Sequence, residues 1–286
     1  MEDKPPKPRF SFLNCWVYDP SFLNVVQQAW DIPVRGSIMY CFFGKLKNTR
    51  RALTAMHKRK FSSIKDKVSE AKQQLELCQM KLQTSPISVP LMQEEKDLQK
   101  SYIKLRDTEL SILRQRAKFD NITQNDSNSS FFYAKIAERQ QSQFIGEIVD
   151  HHGQLRRGVK EVADAFVEYY TELLGSDQLV AALDAEFISD GGSLTAGDAE
   201  GLCRPIQDSE IWNALKSIGQ NKSPGPDGFS SGFFINSWHI IREDLCSCIR
   251  EFFRTSRLIK QANSTLVALI PKKKVVQSVL DFRPIS

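Results

Sequence analysis

The 286-residue sequence predicts an α+β protein that is mostly helical and is built around a long antiparallel helical hairpin. Three observations lead there. Phe61, Ile64, Val68, Ala71, Leu75, Cys78 and Leu82 step by three and four, which places them on one face of a helix. After a break at Ser85, Pro86, Ile87, Ser88, Val89 and Pro90, the residues Leu91, Leu98, Leu105, Ile112 and Phe119 recur one heptad apart, with Tyr102 beside them. The extended stretches, Phe144 to Val149 and Leu266 to Ile270, are short and end at turn-forming residues.

Residues 1–60 are expected to be a linker segment with short helices. Pro5, Pro6 and Pro8 hold the approach extended, and Phe10, Phe12, Trp16, Tyr18, Phe22 and Trp30 then supply aromatics for a core. Asp19, Pro20 and Ser21 make a cap and first turn for a helix over about 20–30, in which Phe22, Val25, Val26 and Ala29 share a face. Residues 61–119 form the hairpin. Its second seam carries Glu109 and Arg116 at minor positions, so its packing is less regular than a coiled coil, and two helices of a larger bundle would show the same spacing.

Residues 120–174 read as a connector. Asp126 or Asn128 would cap a helix bearing Phe132, Ile136 and Arg139; Phe144 to Val149 is a strand, His151-His152-Gly153 a turn, and Val159 to Leu174 an amphipathic helix. Residues 175–205 are rich in Gly, Ser and Asp and read as a flexible linker. In 206–286 a helix over Ile206 to Ile218, capped by Asp208 or Ser209, precedes Lys222-Ser223-Pro224-Gly225-Pro226-Asp227-Gly228, a rigid turn with two fixed φ angles and two permissive ones. Phe233 to Phe253 is a further helix, and Leu266 to Ile270 a buried strand.

Charge is unevenly spread. The net charge is +5, but residues 1–134 carry 22 Lys/Arg against 14 Asp/Glu, residues 135–200 carry 5 against 13, and residues 201–286 carry 12 against 7. The densest basic run is Lys45, Lys47, Arg50, Arg51, Lys58, Arg59, Lys60, Lys65 and Lys67, with Asp66 the one acid among them. A solvated helix face usually interleaves both signs, so this run points to phosphate contact, with RNA or DNA as partner. The longest aliphatic run, Leu266 to Ile270, falls far short of the roughly 17 residues of a membrane helix, and no apolar stretch follows the charges of the N-terminus. No membrane partner is expected. The cysteines at 15, 41, 78, 203, 246 and 248 lack zinc-module spacing, which suits a reduced intracellular protein, nuclear or cytoplasmic; oligomeric state is not written in the pattern.

Candidate chemistry is sparse. Acid–base or two-metal work needs converging carboxylates, and Asp227 and Asp281 have no acidic neighbour in sequence. No phosphate-cradling Gly-x-x-x-x-Gly-Lys-Ser/Thr loop and no Gly-x-Ser-x-Gly elbow is present. The expected set of catalytic and metal-binding residues is therefore empty, and no cofactor is expected.

A resemblance sharpens this. Asn221 to Phe229, then Phe233-Phe234 and Trp238, Asn263-Ser264-Thr265, Leu269-Ile270-Pro271-Lys272-Lys273 and Asp281-Phe282-Arg283-Pro284-Ile285-Ser286 resemble, in order, the start of the reverse transcriptase domain of LINE-type (non-LTR) retrotransposons, especially those of plants. Upstream, Phe119 to Arg139 is similar to the segment linking endonuclease to polymerase, although Asn125 and Tyr133 stand where that segment usually has Gly and His. The resemblance implies a linker followed by the N-terminal fingers of an RNA-directed DNA polymerase, truncated before the palm whose carboxylates hold Mg2+ in the family. It implies that Arg283 meets the triphosphate of an incoming nucleotide and that Lys272 or Lys273 lies near template or nucleotide. Two readings stand: a polymerase fragment without catalysis of its own, or a helical nucleic-acid-binding or structural interaction protein derived from a retroelement.

Overall fold

The computed structural model describes residues 9–118, 129–142, 144–175, 193–219 and 222–285. The expected cap at Asp126 or Asn128, the last seam position Phe119, most of the linker 175–205, and the motif positions Asn221 and Ser286 lie outside the described residues. The order is a 3-10 turn (Asn14–Tyr18), α1 (Phe22–Trp30), α2 (Ile38–Lys60), α3 (Ile64–Thr84), α4 (Val89–Ala117), α5 (Ser129–Ser142), β1 (Glu147–Val149), β2 (Leu155–Arg157) and α6 (Val159–Gly175). Then come α7 (Ala196–Cys203), α8 (Asp208–Ser217), α9 (Ser231–Asn236), α10 (Trp238–Thr255), β3 (Ala268–Pro271), a second 3-10 turn (Val279–Asp281) and β4 (Phe282–Ile285). The fold is mostly helical, with two small antiparallel sheets of two strands each. The described residues divide into two compact units, one of residues 9–118, 129–142, 211–219 and 222–264 and the other of residues 144–175, 193–210 and 265–285.

The core of the first unit is aromatic. Phe12, Trp16, Phe22 and Trp30 are buried against Leu53 and Met56 of α2 and Phe233 and Ile241 of α9 and α10. Rings meet edge-on: Phe12 lies 5.4 Å from Trp16 and 5.5 Å from Phe233, a geometry that sets positive ring edges on negative faces. Tyr18 departs from the expected core role. It ends the 3-10 turn and is 81% exposed.

Where short helices are expected before residue 60, α2 runs for 23 residues. Its interior has no proline, and Met39, Phe42, Leu46, Thr49, Leu53 and Met56 recur at helical spacing and are buried, so one continuous face is pinned to the core. Ser37 caps it by accepting a hydrogen bond from the Tyr40 N–H at 3.3 Å. A turn at residues 61–63 bends the chain into α3.

Helices α3 and α4 pack together along their length and are joined by residues 85–88, with Pro90 in the first turn of α4. The seam positions Ala71, Leu75, Cys78 and Ile112 are buried, and Phe61, Ile64, Val68, Leu82, Leu91, Leu98 and Leu105 are half-buried. The hairpin closes with Cys78 Sγ 3.7 Å from the Leu91 carbonyl and Gln79 donating to Glu95 at 3.0 Å. Glu109, 5% exposed within this seam, is satisfied by the Tyr133 hydroxyl of α5, which donates to it at 3.0 Å. Burial, and then the negative Glu109, push the Tyr133 phenol up.

The expected helix over 233–253 is two helices. Ser237, buried and at φ −103°, ψ 10°, ends α9 and begins α10, its carbonyl accepting from the Ile241 N–H.

In the second unit β1 and β2 form a hairpin with Ile148 opposite Arg156, and α6 covers it through Val162, Ala165 and Phe166. Phe166 meets Phe282 of β4 edge-on at 5.0 Å. Asp150 shapes the turn: its Oδ1 accepts from the N–H groups of His152 and Gln154, and its Oδ2 from Arg156 Nε at 2.8 Å. The strand expected to be buried over 266–270 begins at Ala268, pairs with β4 and stays largely exposed, Ile270 at 45%. A two-stranded sheet covers one face at most, and Leu269 is the residue of β3 that packs against the Ile148 core. Within the segment expected to be a flexible linker, residues 196–203 are helical, started by a capping box between Thr195 and Asp198. Among the described residues no helix is long and apolar enough to cross a membrane. None of the six cysteines is in a disulfide, and burial pushes the thiols of Cys15 and Cys248 up to about 12 and about 11.

Candidate nucleic-acid interface

Packing sorts the nine basic residues of 45–67. Lys45 donates to Asp244 at 2.6 Å, an acid that also accepts from Trp30 Nε1 at 2.7 Å. Lys60 donates to both carboxylate oxygens of Asp19, at 2.7 and 2.9 Å. That pairing, with the Ser21 hydroxyl and N–H, holds the Asp19 carboxyl below its ordinary value despite burial that opposes it. Lys67 Nζ donates to the Lys60 carbonyl at 2.7 Å, and Lys65 lies 5.3 Å from the centre of the Tyr133 ring. These four cations serve the fold.

The other five are exposed. Arg50 lies over the Phe10 ring at 5.2 Å, and among the described residues Lys47, Arg50, Arg51, Lys58 and Arg59 make no ion pair. At 3.6 residues per turn, Lys47, Arg51 and Lys58 fall in one row on the side of α2 away from its buried face, spaced about 6 and about 10.5 Å along the axis. Phosphates along a nucleic-acid strand can be met by such a row of point charges and donor forks.

Residues 224–228 close a tight turn beside α2. The Gly228 N–H donates to the Gly225 carbonyl at 3.0 Å, and Asp227 Oδ1 accepts from the Phe229 N–H at 3.0 Å. Burial pushes the Asp227 carboxyl up, against the pull of the N–H groups of Phe229 and Gly228. Gly228 sits at φ +81°, and its carbonyl accepts from the Phe12 N–H at 2.8 Å, which ties the turn to the aromatic core. The turn and α2 wall a cleft of about 290 Å³, lined by Tyr40, Phe43, Lys47, Arg50, Asp227 and Phe229 among others. Two motifs separated by some 180 residues, the basic run and the Pro/Gly turn, thus share one site. Pro226 lines that cleft, and Pro224 lines a second cleft with Arg114 and Lys118.

Lys272, Lys273 and Arg283 belong to the other unit. Lys272 Nζ donates to the Leu280 carbonyl at 2.7 Å, and Lys273 pairs with Asp281 at 2.8 Å. Lys273 and the N–H groups of Gln277 and Ser278 lower the Asp281 carboxyl to about 2. Arg283, opposite Ile270 in the β3–β4 ladder, is exposed and unpaired among the described residues. No group of three or more His, Cys, Asp or Glu arranged to hold a metal ion occurs among the described residues.

Sequence reasoning passed over Tyr40 and Phe43. The signal was there: Tyr40, Phe43 and Lys47 stand at i, i+3 and i+7 of one helix face.

No protein-family model matches the chain. Over 171 residues, 60% of this chain, it is 25% identical to the "Transposon TX1 uncharacterized 149 kDa protein" of Xenopus laevis, and the match spans 13% of that protein's length. The chain is thus a distant relative of a transposon-associated protein.

Proposed function

We propose that the chain is a stretch of a LINE-type retrotransposon reverse transcriptase, the linker ahead of the polymerase with the start of its fingers, and that its own task is to hold single-stranded nucleic acid by the backbone. The ordered words from Asn221 to Ser286 support the family reading, and the distant transposon relative is consistent with it. The observation that carries the binding reading is the exposed row Lys47, Arg51 and Lys58 on α2, three cations with no acid paired to them among the described residues. Phosphate contacts of this kind position a strand without reading its bases. Binding rather than phosphoryl transfer is the role assigned to these residues.

Fluorescence anisotropy with a labelled single-stranded RNA tests this. Three phosphate contacts make affinity fall by about 20-fold between 50 and 200 mM salt. The triple variant Lys47→Glu, Arg51→Glu, Lys58→Glu is expected to lose most of that affinity and slope on unrelated sequences alike, while Lys60→Gln, which removes a cation already paired with Asp19, keeps the slope. A salt-insensitive wild-type complex, or an unchanged triple variant, would sink the reading. It would leave the second one, a helical interaction protein, which the exposed Met80, Ile87, Val89 and Met92 at the hairpin tip favour.

A further inference from the structure

We propose that the cleft between α2 and the Pro/Gly turn seats a nucleobase, with Tyr40 as its stacking face, at one end of the strand whose phosphates run along Lys47, Arg51 and Lys58. This rests on the binding reading above and adds a site to it. Tyr40 is 50% exposed at the start of α2, yet its ring is backed by main chain: at Gly36, φ +147°, an added Cβ would come 2.6 Å from Tyr40 Cδ1. The Cδ1 side of the ring therefore lies close against Gly36, where any side chain would displace it. Phe43, one turn further on, and the buried Phe229 add apolar wall, while Asp227, Gln261 and Ser264 add polar groups.

At about 100° per residue, Tyr40, Phe43, Lys47, Arg50, Arg51 and Lys58 fall within one stripe about 100° wide. Tyr40 to Lys58 spans about 27 Å of helix axis, which an extended strand covers with on the order of four nucleotides. An aromatic face followed by ammonium and guanidinium groups along one line matches a chain that alternates flat rings with phosphates. Base stacking on such a face is worth about tenfold or more in affinity per base and tolerates any sequence.

The test uses the full chain, a labelled 12-nucleotide single-stranded RNA and the same oligomer with its bases removed at successive central positions. Tyr40→Ala is expected to weaken binding to the intact RNA about tenfold with an unchanged salt slope, and Tyr40→Phe to retain affinity. The abasic oligomer is expected to bind wild type more weakly and to show no further loss with Tyr40→Ala. Circular dichroism melts of each variant confirm that loss of binding is not loss of fold. Equal affinity of wild type and Tyr40→Ala, with the wild-type salt slope intact, overturns the base site and leaves the cation row standing; absence of salt-dependent binding by wild type overturns both.

Discussion

Gly228 shows how one residue ties a loop motif to a core. Its φ of +81° suits only a residue without a Cβ, and a Cβ there would lie 2.3 Å from the Phe10 carbonyl oxygen. Neither the turn nor the Phe10 to Phe12 strand-like approach can give way, because the Gly228 carbonyl accepts from the Phe12 N–H. Gly228→Ala is expected to destabilise the first unit by about 2 kcal/mol or more. Urea unfolding followed by tryptophan emission measures this, since Trp16, Trp30, Trp212 and Trp238, the four in the sequence, all lie in that unit. The same logic of local satisfaction decides which cations are available. A lysine already matched to a part-buried carboxylate, as Lys45 is to Asp244, would leave that acid with the Trp30 N–H but without its cation if it turned to a phosphate.

At the scale of elements, the α3–α4 hairpin is held by its seam more than by intrinsic helicity, since both helices are rich in charged and polar residues and isolated helices are marginal. Leu75 faces α4 at 9% exposure, whereas Leu77, two residues on, is 55% exposed. Leu75→Ala is expected to cost about 2–4 kcal/mol and Leu77→Ala about 0.5 kcal/mol or less. Hydrogen exchange of hairpin peptides, compared between the two variants, reads the difference, and equal effects would mean that the seam does not bear on stability. Helix α2 has two distinct faces. Its buried face anchors the aromatic core, and its opposite face, free of core duty, carries Tyr40, Lys47, Arg51 and Lys58.

Across the whole molecule, charge follows the division into units. The described residues of the first unit hold 29 Lys/Arg against 15 Asp/Glu, and those of the other hold 8 against 11. A polyanion is attracted to the first and repelled by the second. The acidic unit also contains Asp150, Asp198, Glu210 and Asp281, each with a lowered carboxyl pKa. A carboxylate held below its unfolded value stabilises the fold above that value and stops doing so as the pH falls through the folded one. For Asp281 the window runs from 3.8 down to about 2. On acidification through this window, ellipticity is expected to fall before tryptophan emission changes. Asp281→Asn is expected to lower stability at neutral pH and flatten the acid limb; an ellipticity titration identical to wild type would refute the role given to Asp281.

The sequence by itself determined the helical character of Ile64–Thr84 and Val89–Ala117, the helix over Val159 to Leu174, the turn at His151 to Gly153 and the basic character of 45–67, because helical periodicity and charge density are properties of neighbouring residues. Only tertiary structure decided which of the nine cations stay free. Lys45 and Lys60 are taken up by acids 199 and 41 positions away, and no local pattern marks such partners. The same holds for β4, whose residues Phe282 to Ile285 become a strand by pairing with β3, and for the length of α2, which is set by the core that its buried face meets. The cleft is the clearest case: Tyr40 and Asp227 acquire a common site because chain closure brings Gly228 onto Phe12, a contact whose energy is local but whose sequence separation is not.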